Sequence, residues 1–504
     1  MFRAIIALFA VALSAAASAA PGTWQAAQTK HFIIYSKSPN ADIEKLATDF
    51  EKYDKLLRLA TAIDEDVKPV KVRIYEVDDM SDVQAALGLD WRSGVGGFYT
   101  SNSLGPFLVT PRKTGMNAEH FTSEIVRRHE YAHHFMLEYF PASYPSWYVE
   151  GFAELIGSSK LMDDGRIGYG TPALTRGHDI AVDWVPLQEL LTKESVKYLD
   201  TYGQGWALTH FLTFDKTRSA QFRQYLAELT AGKSFADAAK VFGDLDELDH
   251  EARRYVTTGS FQYRPVKVDI EQPVVTSIRP VSAGEAALIP EVIAYDDDDL
   301  TAIKQQGIRE HERDRRARNL AKIRQVAAQY PNDPFASRFL AEAEYASGNY
   351  AAAQSAADRL LALSPNDVDG LARKSLAMSK SANGSAAAAD AARDLAIKAN
   401  ALDHDDPLPL LAYYESYHEA RQKPPKVAVE GLMQAVSTLP ANTSVRELLV
   451  DELASERRWA DAMAWLAPIA NSPHDSPLRD SARDKMAWLR AQMAGAPAAP
   501  VASN

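Results

Sequence analysis

His129-Glu130-Tyr131-Ala132-His133 is the stretch of this chain whose residue types and spacing could do chemistry. On an α-helix, residues four apart share a face, so His129 and His133 can aim imidazole nitrogens at one metal ion. Glu130 sits about 100° around the helix, beside that ion, where its carboxylate can accept a proton from a water the ion has polarised. H-E-x-x-H is therefore a pattern for metal-assisted hydrolysis. Two histidines do not close such a site; a third ligand is needed. Pro141 and Pro145 break the chain, Ser146 can cap a new helix, and Glu150 lies in the first turns of that helix. Two antiparallel helices joined by so short a loop bring Glu150 against the histidine pair, with Gly151 and Ala153 permitting close packing. Glu154, one turn further on the same face, can accept the Nδ1–H of a ligand histidine and fix its tautomer. His134 projects away from the pair and reads as structural.

The elements that must position these groups follow from periodicity. His31–Tyr35 and Val70–Val77 read as strands, and Gly97–Thr100 and Phe107–Val109 as two β pieces joined by a turn over Asn102–Pro106. Asp42–Leu59 carries apolar residues at helical spacing, and Ser81–Leu87 reads as a short helix. The motif helix starts between Asn117 and Thr122 and ends before Pro141. From Arg264 to Ala294 the chain is rich in Pro and Val without a helical period, so 264–299 reads as an extended linker or small β element. Asp296–Asp299 reads as a solvated face or a helix start.

Composition narrows the chemistry. The 504 residues predict about three domains at roughly 150 residues each, and 46% hydrophobic with 24% charged residues is ordinary for globular protein. Lys+Arg of 55 against Asp+Glu of 67 gives a net charge of −12, which repels phosphate backbones and argues against nucleic-acid binding. With no cysteine, disulfides, thiolate metal sites and a Cys nucleophile are excluded, and any metal must be held by His, Asp, Glu or water. Residues 1–19 read as a cleaved export signal: Arg3, an apolar run over Ala4–Leu13, and the small-x-small site Ala17-Ser18-Ala19. The apolar run is too short to span a bilayer, and no stable span is expected after cleavage. The expected location is bacterial and exported, either periplasmic or secreted.

Residues 300–493 read as helical repeats, and 494–504 as a disordered tail. Tyr345, Gly348, Tyr350, Ala353 and Pro365 sit where a tetratricopeptide repeat packs its two helices. Pro407 and Pro440 close two further units, the first longer and the second slightly shorter than the usual repeat. Leu449, Leu453, Trp459, Ala462 and Leu466 fall at similar offsets in the unit after them. Such an array offers a concave surface for peptides or a protein partner, or else serves as a structural cap.

His129-Glu130-x-x-His133 followed by Trp147-x-x-Glu150-Gly151-x-Ala153 resembles the gluzincin metallopeptidases, and most of all the aminopeptidase N and leukotriene-hydrolase group. The resemblance implies an α+β, thermolysin-like catalytic domain over 23–263, a small mixed sheet plus helices. It implies Zn²⁺ on His129, His133 and Glu150, with Glu130 as general base and Glu154 supporting a histidine. Thr201-Tyr202-Gly203-Gln204-Gly205 is similar to the Tyr-x-Lys-Gly segment of these aminopeptidases, which implies that the Tyr202 hydroxyl stabilises the oxyanion. Gln204 replaces the usual Lys. His210 reads chiefly as a packing residue. The group's Gly-x-Met-Glu-Asn segment, whose Glu holds a substrate's free amine, is missing; the nearest pieces are Gly96–Thr100 and Gly115-Met116-Asn117. An endopeptidase is therefore expected, with Gly97–Thr100 as an edge that pairs with substrate backbone. The alternative is a non-catalytic cell-envelope repeat scaffold carrying a metal-binding, vestigial peptidase domain.

Overall fold

The computed structural model describes residues 22–65, 70–89, 91–115, 121–177, 180, 184–193, 201–297, 300–382, 385–472 and 476–495. The expected export signal (1–19) and residues 496–504 of the tail lie outside the described residues. Strands β1 (Gln25–Gln28), β2 (Phe32–Ser36), β3 (Val72–Asp79), β4 (Phe98–Asn102) and β5 (Gly105–Lys113) form one mixed sheet. A late strand, β9 (Ser277–Pro280), completes it, in the order β4-β5-β3-β2-β1-β9. β2, β3 and β5 run parallel, with Ile34 opposite Ile74 and Ile74 opposite Leu108. That register sends Ile34, Ile74 and Leu108 to one face, and Tyr35, Tyr75 and Val109 to the other. The β4–β5 turn is tightened by Leu104 N–H donating to Asn102 Oδ1 at 2.9 Å, and Gly105 takes φ +111°, a region L side chains avoid.

The first face is covered by helices α1 (Asn40–Thr61) and α3 (Ser123–Tyr139), whose Ile43, Leu46, Phe50, Tyr131 and Phe135 join Phe32, Ile34 and Ile74 in one core. The short α2 (Met80–Ala86) follows β3, capped by the Asp79 carboxylate. Beyond α3 come α4 (Ser146–Gly157), a small sheet of β6 (Lys160–Leu161), β7 (Ile167–Tyr169) and β8 (Arg264–Val266), and then α5 (Leu187–Leu190). Helices α6 (Thr201–Phe214), α7 (Arg218–Thr230), α8 (Phe235–Ala239) and α9 (Leu245–Thr258) complete this part.

Segment 264–299 departs from the reading of a linker or small β element. It contributes β8 and β9, but also the helix α10 (Ala283–Ile293), capped by the Ser282 hydroxyl. Leu288, Ile289, Val292 and Ile293 are all buried. A helix apolar nearly all round shows no amphipathic period, and Pro290 inside it disguises it further. The acidic run is not simply solvated either. Asp296 meets Arg315 and Arg316 at 3.1 and 3.0 Å, and half-buried Asp297 accepts the Ser103 N–H at 2.8 Å.

After α10 the chain is a helical array: α11 (Gln306–Gln329), α12 (Pro334–Ala346), α13 (Tyr350–Leu363), α14 (Val368–Ser381) and α15 (Ala386–Leu402), then α16 (Pro407–His418), α17 (Lys426–Thr438), α18 (Thr443–Ser455), α19 (Trp459–Ala470) and α20 (Pro477–Met493). Each packs on the next. Pro365 and Pro440 fall between the second helix of one pair and the first of the next, Pro407 opens the first helix of a pair, and Ala353, Leu449, Leu453, Ala462 and Leu466 are buried. The array is not detached. Its first helices form the second layer of the sheet: Tyr35, Tyr75 and Phe107 share a core with Ile289, Ile323 and Phe339. No helix of the described residues is long and apolar enough to cross a membrane.

Candidate metal centre

α3 begins where the Thr122 hydroxyl accepts the Ile125 N–H, and it ends at Phe140, ahead of Pro141. One side of it fills the core. The other carries His129 and His133 toward α4, which starts after Pro145; Ser146 is its first residue rather than its cap, and no side-chain cap bond forms. His129 Nε2 lies 3.1 Å from His133 Nε2, and Glu150 Oε2 stands 3.3 and 3.7 Å from the two nitrogens. The three donor atoms all lie within 4.8 Å of one another. Donors at about 2.0–2.2 Å around a tetrahedral Zn²⁺ stand about 3.4 Å apart, so the set fits such an ion in chemistry and spacing. The two histidine side chains are 12% exposed and Glu150 only 2%.

Gly151 works differently from expectation. It serves α4's contact with α6, not with α3: a Cβ there would lie 2.3 Å from the Gly205 carbonyl oxygen. Gly157 is the glycine beside α3, where a Cβ would stand 3.2 Å from the Ile125 carbonyl oxygen and 3.4 Å from His129 Cβ.

Glu154 Oε1 lies 3.3 Å from His129 Nδ1 and accepts from Arg176 Nη2 at 2.7 Å. The Arg176 guanidinium also stacks over the Tyr202 ring at 4.7 Å, and that ring stands 6.1 Å from the His129 ring. Nothing local in the sequence marks Arg176, which comes from a short helical turn outside the periodic segments. Burial opposes charge on His129, but Glu150 and Glu154 outweigh it and hold the imidazole well above its usual range. Burial pushes Glu130 up to about 7; His129 opposes the rise, Glu150 adds to it, and the Tyr99 N–H donates to the carboxylate. Burial, then the Glu150 and Glu130 charges, keep Tyr202 protonated far above its ordinary range.

The remaining sequence candidates are structural. His210 is buried, with Nε2 2.8 Å from the Gly170 carbonyl oxygen and Nδ1 2.7 Å from the Tyr255 hydroxyl. His134 contacts the Tyr99 hydroxyl at 3.0 Å and Glu138 at 2.6 Å. Gln204 clasps the Val185 backbone from both sides, at 2.8 and 2.7 Å. That use requires an amide, where a Lys would leave the Val185 N–H without its acceptor. β4 is an edge strand of the sheet, one residue later than Gly97. It approaches α3 so closely that a Cβ on Gly97 would lie 2.5 Å from Val126 Cγ1.

His129, Glu130, His133 and Tyr202 line a cavity of about 650 Å³. Part of its wall comes from the helical array, through the α17–α18 and α19–α20 connections. No spacing rule in the sequence anticipated that wall.

No family model matches the chain, and no curated protein matches it. Solved structures do. A thermophilic TPR protein of Thermus thermophilus is 19% identical, over 37% of this chain and 98% of that one, with a TM-score of 0.31. A MamA RS-1 ArsTM double mutant is 16% identical, over 38% and 98%, with a TM-score of 0.24. Yeast Tom70 is 10% identical, over 76% of both chains, also at 0.24.

Proposed function

We propose that this chain is an exported, zinc-dependent peptidase that cleaves internal peptide bonds. The observation that carries the reading is the convergence of His129, His133 and Glu150 on one point, with Glu130 beside them at the wall of a cleft. Zn²⁺ on those three side chains would act as a Lewis acid toward the scissile carbonyl and the attacking water. Glu130 takes a proton from that water as its oxygen bonds to the carbonyl carbon, and delivers it to the amine as the C–N bond breaks. Tyr202, kept protonated, donates to the oxygen that gains negative charge. Glu154, itself held by Arg176, fixes His129 through Nδ1. The charged groups along the described wall are those of the donor cluster and Arg176. A substrate's terminal ammonium has no dedicated partner among them, in keeping with internal cleavage. The array would recruit substrate or a protein partner.

Elemental analysis should find about one zinc per chain. Glu130→Gln should lower peptide hydrolysis by roughly 10²–10⁴-fold while keeping the metal; an active Glu130→Gln enzyme would exclude this mechanism. The second reading, a non-catalytic envelope scaffold, is favoured by the length of the array, Gln306–Met493. Full zinc occupancy with no cleavage of any peptide would establish it.

A further inference from the structure

The cleft lies between two separately anchored walls. On one side Met136, Tyr144 and Val149 belong to or pack on the core built around α1, α3 and the first sheet face. On the other side Ile469 packs on the core of the later array helices. The two sides meet where Asn471 Nδ2 donates to Ser143 Oγ at 2.7 Å, next to the α3–α4 loop. Further along, Asn442 and Ser444 reach Asp297, which in turn holds the Ser103 N–H beside β4. The array is thus fixed across the mouth of the donor cluster at more than one place.

The composition of the wall changes along the cleft. Around the donors it is charged: His129, Glu130, His133, Glu154 and Arg176. Near the Asn471–Ser143 contact the described lining side chains include Tyr144, Pro468, Ile469 and Leu478, and none of these carries a formal charge. Asn471, Ser472 and Ser476 supply neutral polar groups at its rim. A cavity of about 650 Å³ is of ligand-holding size, and an apolar chamber with a few convergent polar groups is the usual make-up of a ligand site between domains. A charged side chain against these described neutral side chains would lose its hydration without gaining a countercharge from them, whereas a large aliphatic or aromatic one would be desolvated favourably.

We propose that this end of the cleft is a side-chain subsite for a large, neutral apolar residue of a flexible peptide, and that the helical array supplies half of its wall through Ile469 and Leu478. The inference rests on the peptidase reading and deepens it by naming the substrate class. It also assigns the array a part in selecting substrate rather than in recruitment alone. The side chain held in the chamber positions its peptide across the donor cluster, so its binding energy is used at the reacting bond.

The test uses the full-length, zinc-loaded protein and a defined synthetic peptide library in which one position varies. The wild type should cleave at a fixed distance from Leu, Met or Phe. Ile469→Trp, which fills the chamber, should lower kcat/KM for those peptides at least tenfold and shift preference toward Ala or Gly, with zinc content unchanged. Leu478→Trp is the second variant, should Ile469→Trp fail to fold. In parallel, fluorescence anisotropy of fluorescein-labelled Leu, Ala and Asp peptides on zinc-loaded Glu130→Gln protein should show Leu bound most tightly, with the advantage lost in the Trp variants. Cleavage by the wild type with a preference indifferent to both Trp variants would overturn the subsite and leave the peptidase reading standing. No cleavage by the wild type, but a Leu advantage in binding that the Trp variants abolish, would sustain the subsite and overturn the peptidase reading. Equal binding of all three peptides would overturn the subsite.

Discussion

The donor cluster and the helical array are held together by largely different means. Around the cluster, carboxylates are taken out of water and survive only through named partners: Glu150 against two histidines, Glu154 (3% exposed) between His129 and Arg176. In the array most buried positions are apolar and many are small, such as Ala353, Ala356, Ala372 and Ala396, and each helix packs on the next; buried ion pairs such as Arg373–Glu342 are the minority. Loss of one group in the cluster leaves a buried charge with its desolvation cost uncompensated; loss of one group in the array leaves a local void. The lesson is that damage should spread through chemistry in the first region and through stability in the second.

The largest effect expected on stability is in the array. Leu453→Ala, which removes a fully buried side chain, should cost about 2–5 kcal/mol in urea unfolding with zinc content unchanged. Loss of zinc in that variant would break the comparison. Acid is the next probe. Burial lowers the His210 pKa to about 4, below an ordinary value of 6.5, so the fold holds a neutral imidazole. Its contribution is fully present above pH 6.5 and is lost as pH falls from 6.5 toward 4, by about 3 kcal/mol at most. His210→Gln should flatten that part of the stability–pH curve; an unchanged slope would refute the assignment. Gly151→Ala should cost about 1–3 kcal/mol by forcing α4 from α6, measured as a lower thermal midpoint. The smallest effect sharpens the comparison most. Arg176→Ala should weaken zinc binding about tenfold in competition with a chelator and lower the unfolding midpoint of the metal-free protein only slightly, because His129 still compensates the buried Glu154. A large loss of apo stability would show Arg176 to be a structural residue.

Much of this was legible in the sequence where the information is local. A β-rich run marked β2, alternation marked β3, helical spacing marked α1, and the i, i+4 rule together with a short loop was enough to bring His129, His133 and Glu150 to one point. Features that depend on distant partners were not legible. Gly151 is small because of Gly205, on a helix well separated from it in the chain, and Gln204 is an amide because of Val185. α10 buries Leu288, Ile289, Val292 and Ile293 between the sheet and the array, and its exposed positions are Ala283, Ala287 and Pro290, so no polar face marks it. The cleft's second wall comes from the far end of the chain, and nothing around Pro468, Ile469 or Leu478 in the sequence announces that they face the motif helix.

The doubly covered sheet has a practical consequence. A fragment ending near residue 263 would keep every proposed zinc ligand but lose β9 and the helices that shield Tyr35, Tyr75 and Phe107. Such a fragment would present a bare greasy flank and should clump on expression. Trimming the chain down to its motif-bearing half would therefore destroy the very piece it was meant to isolate.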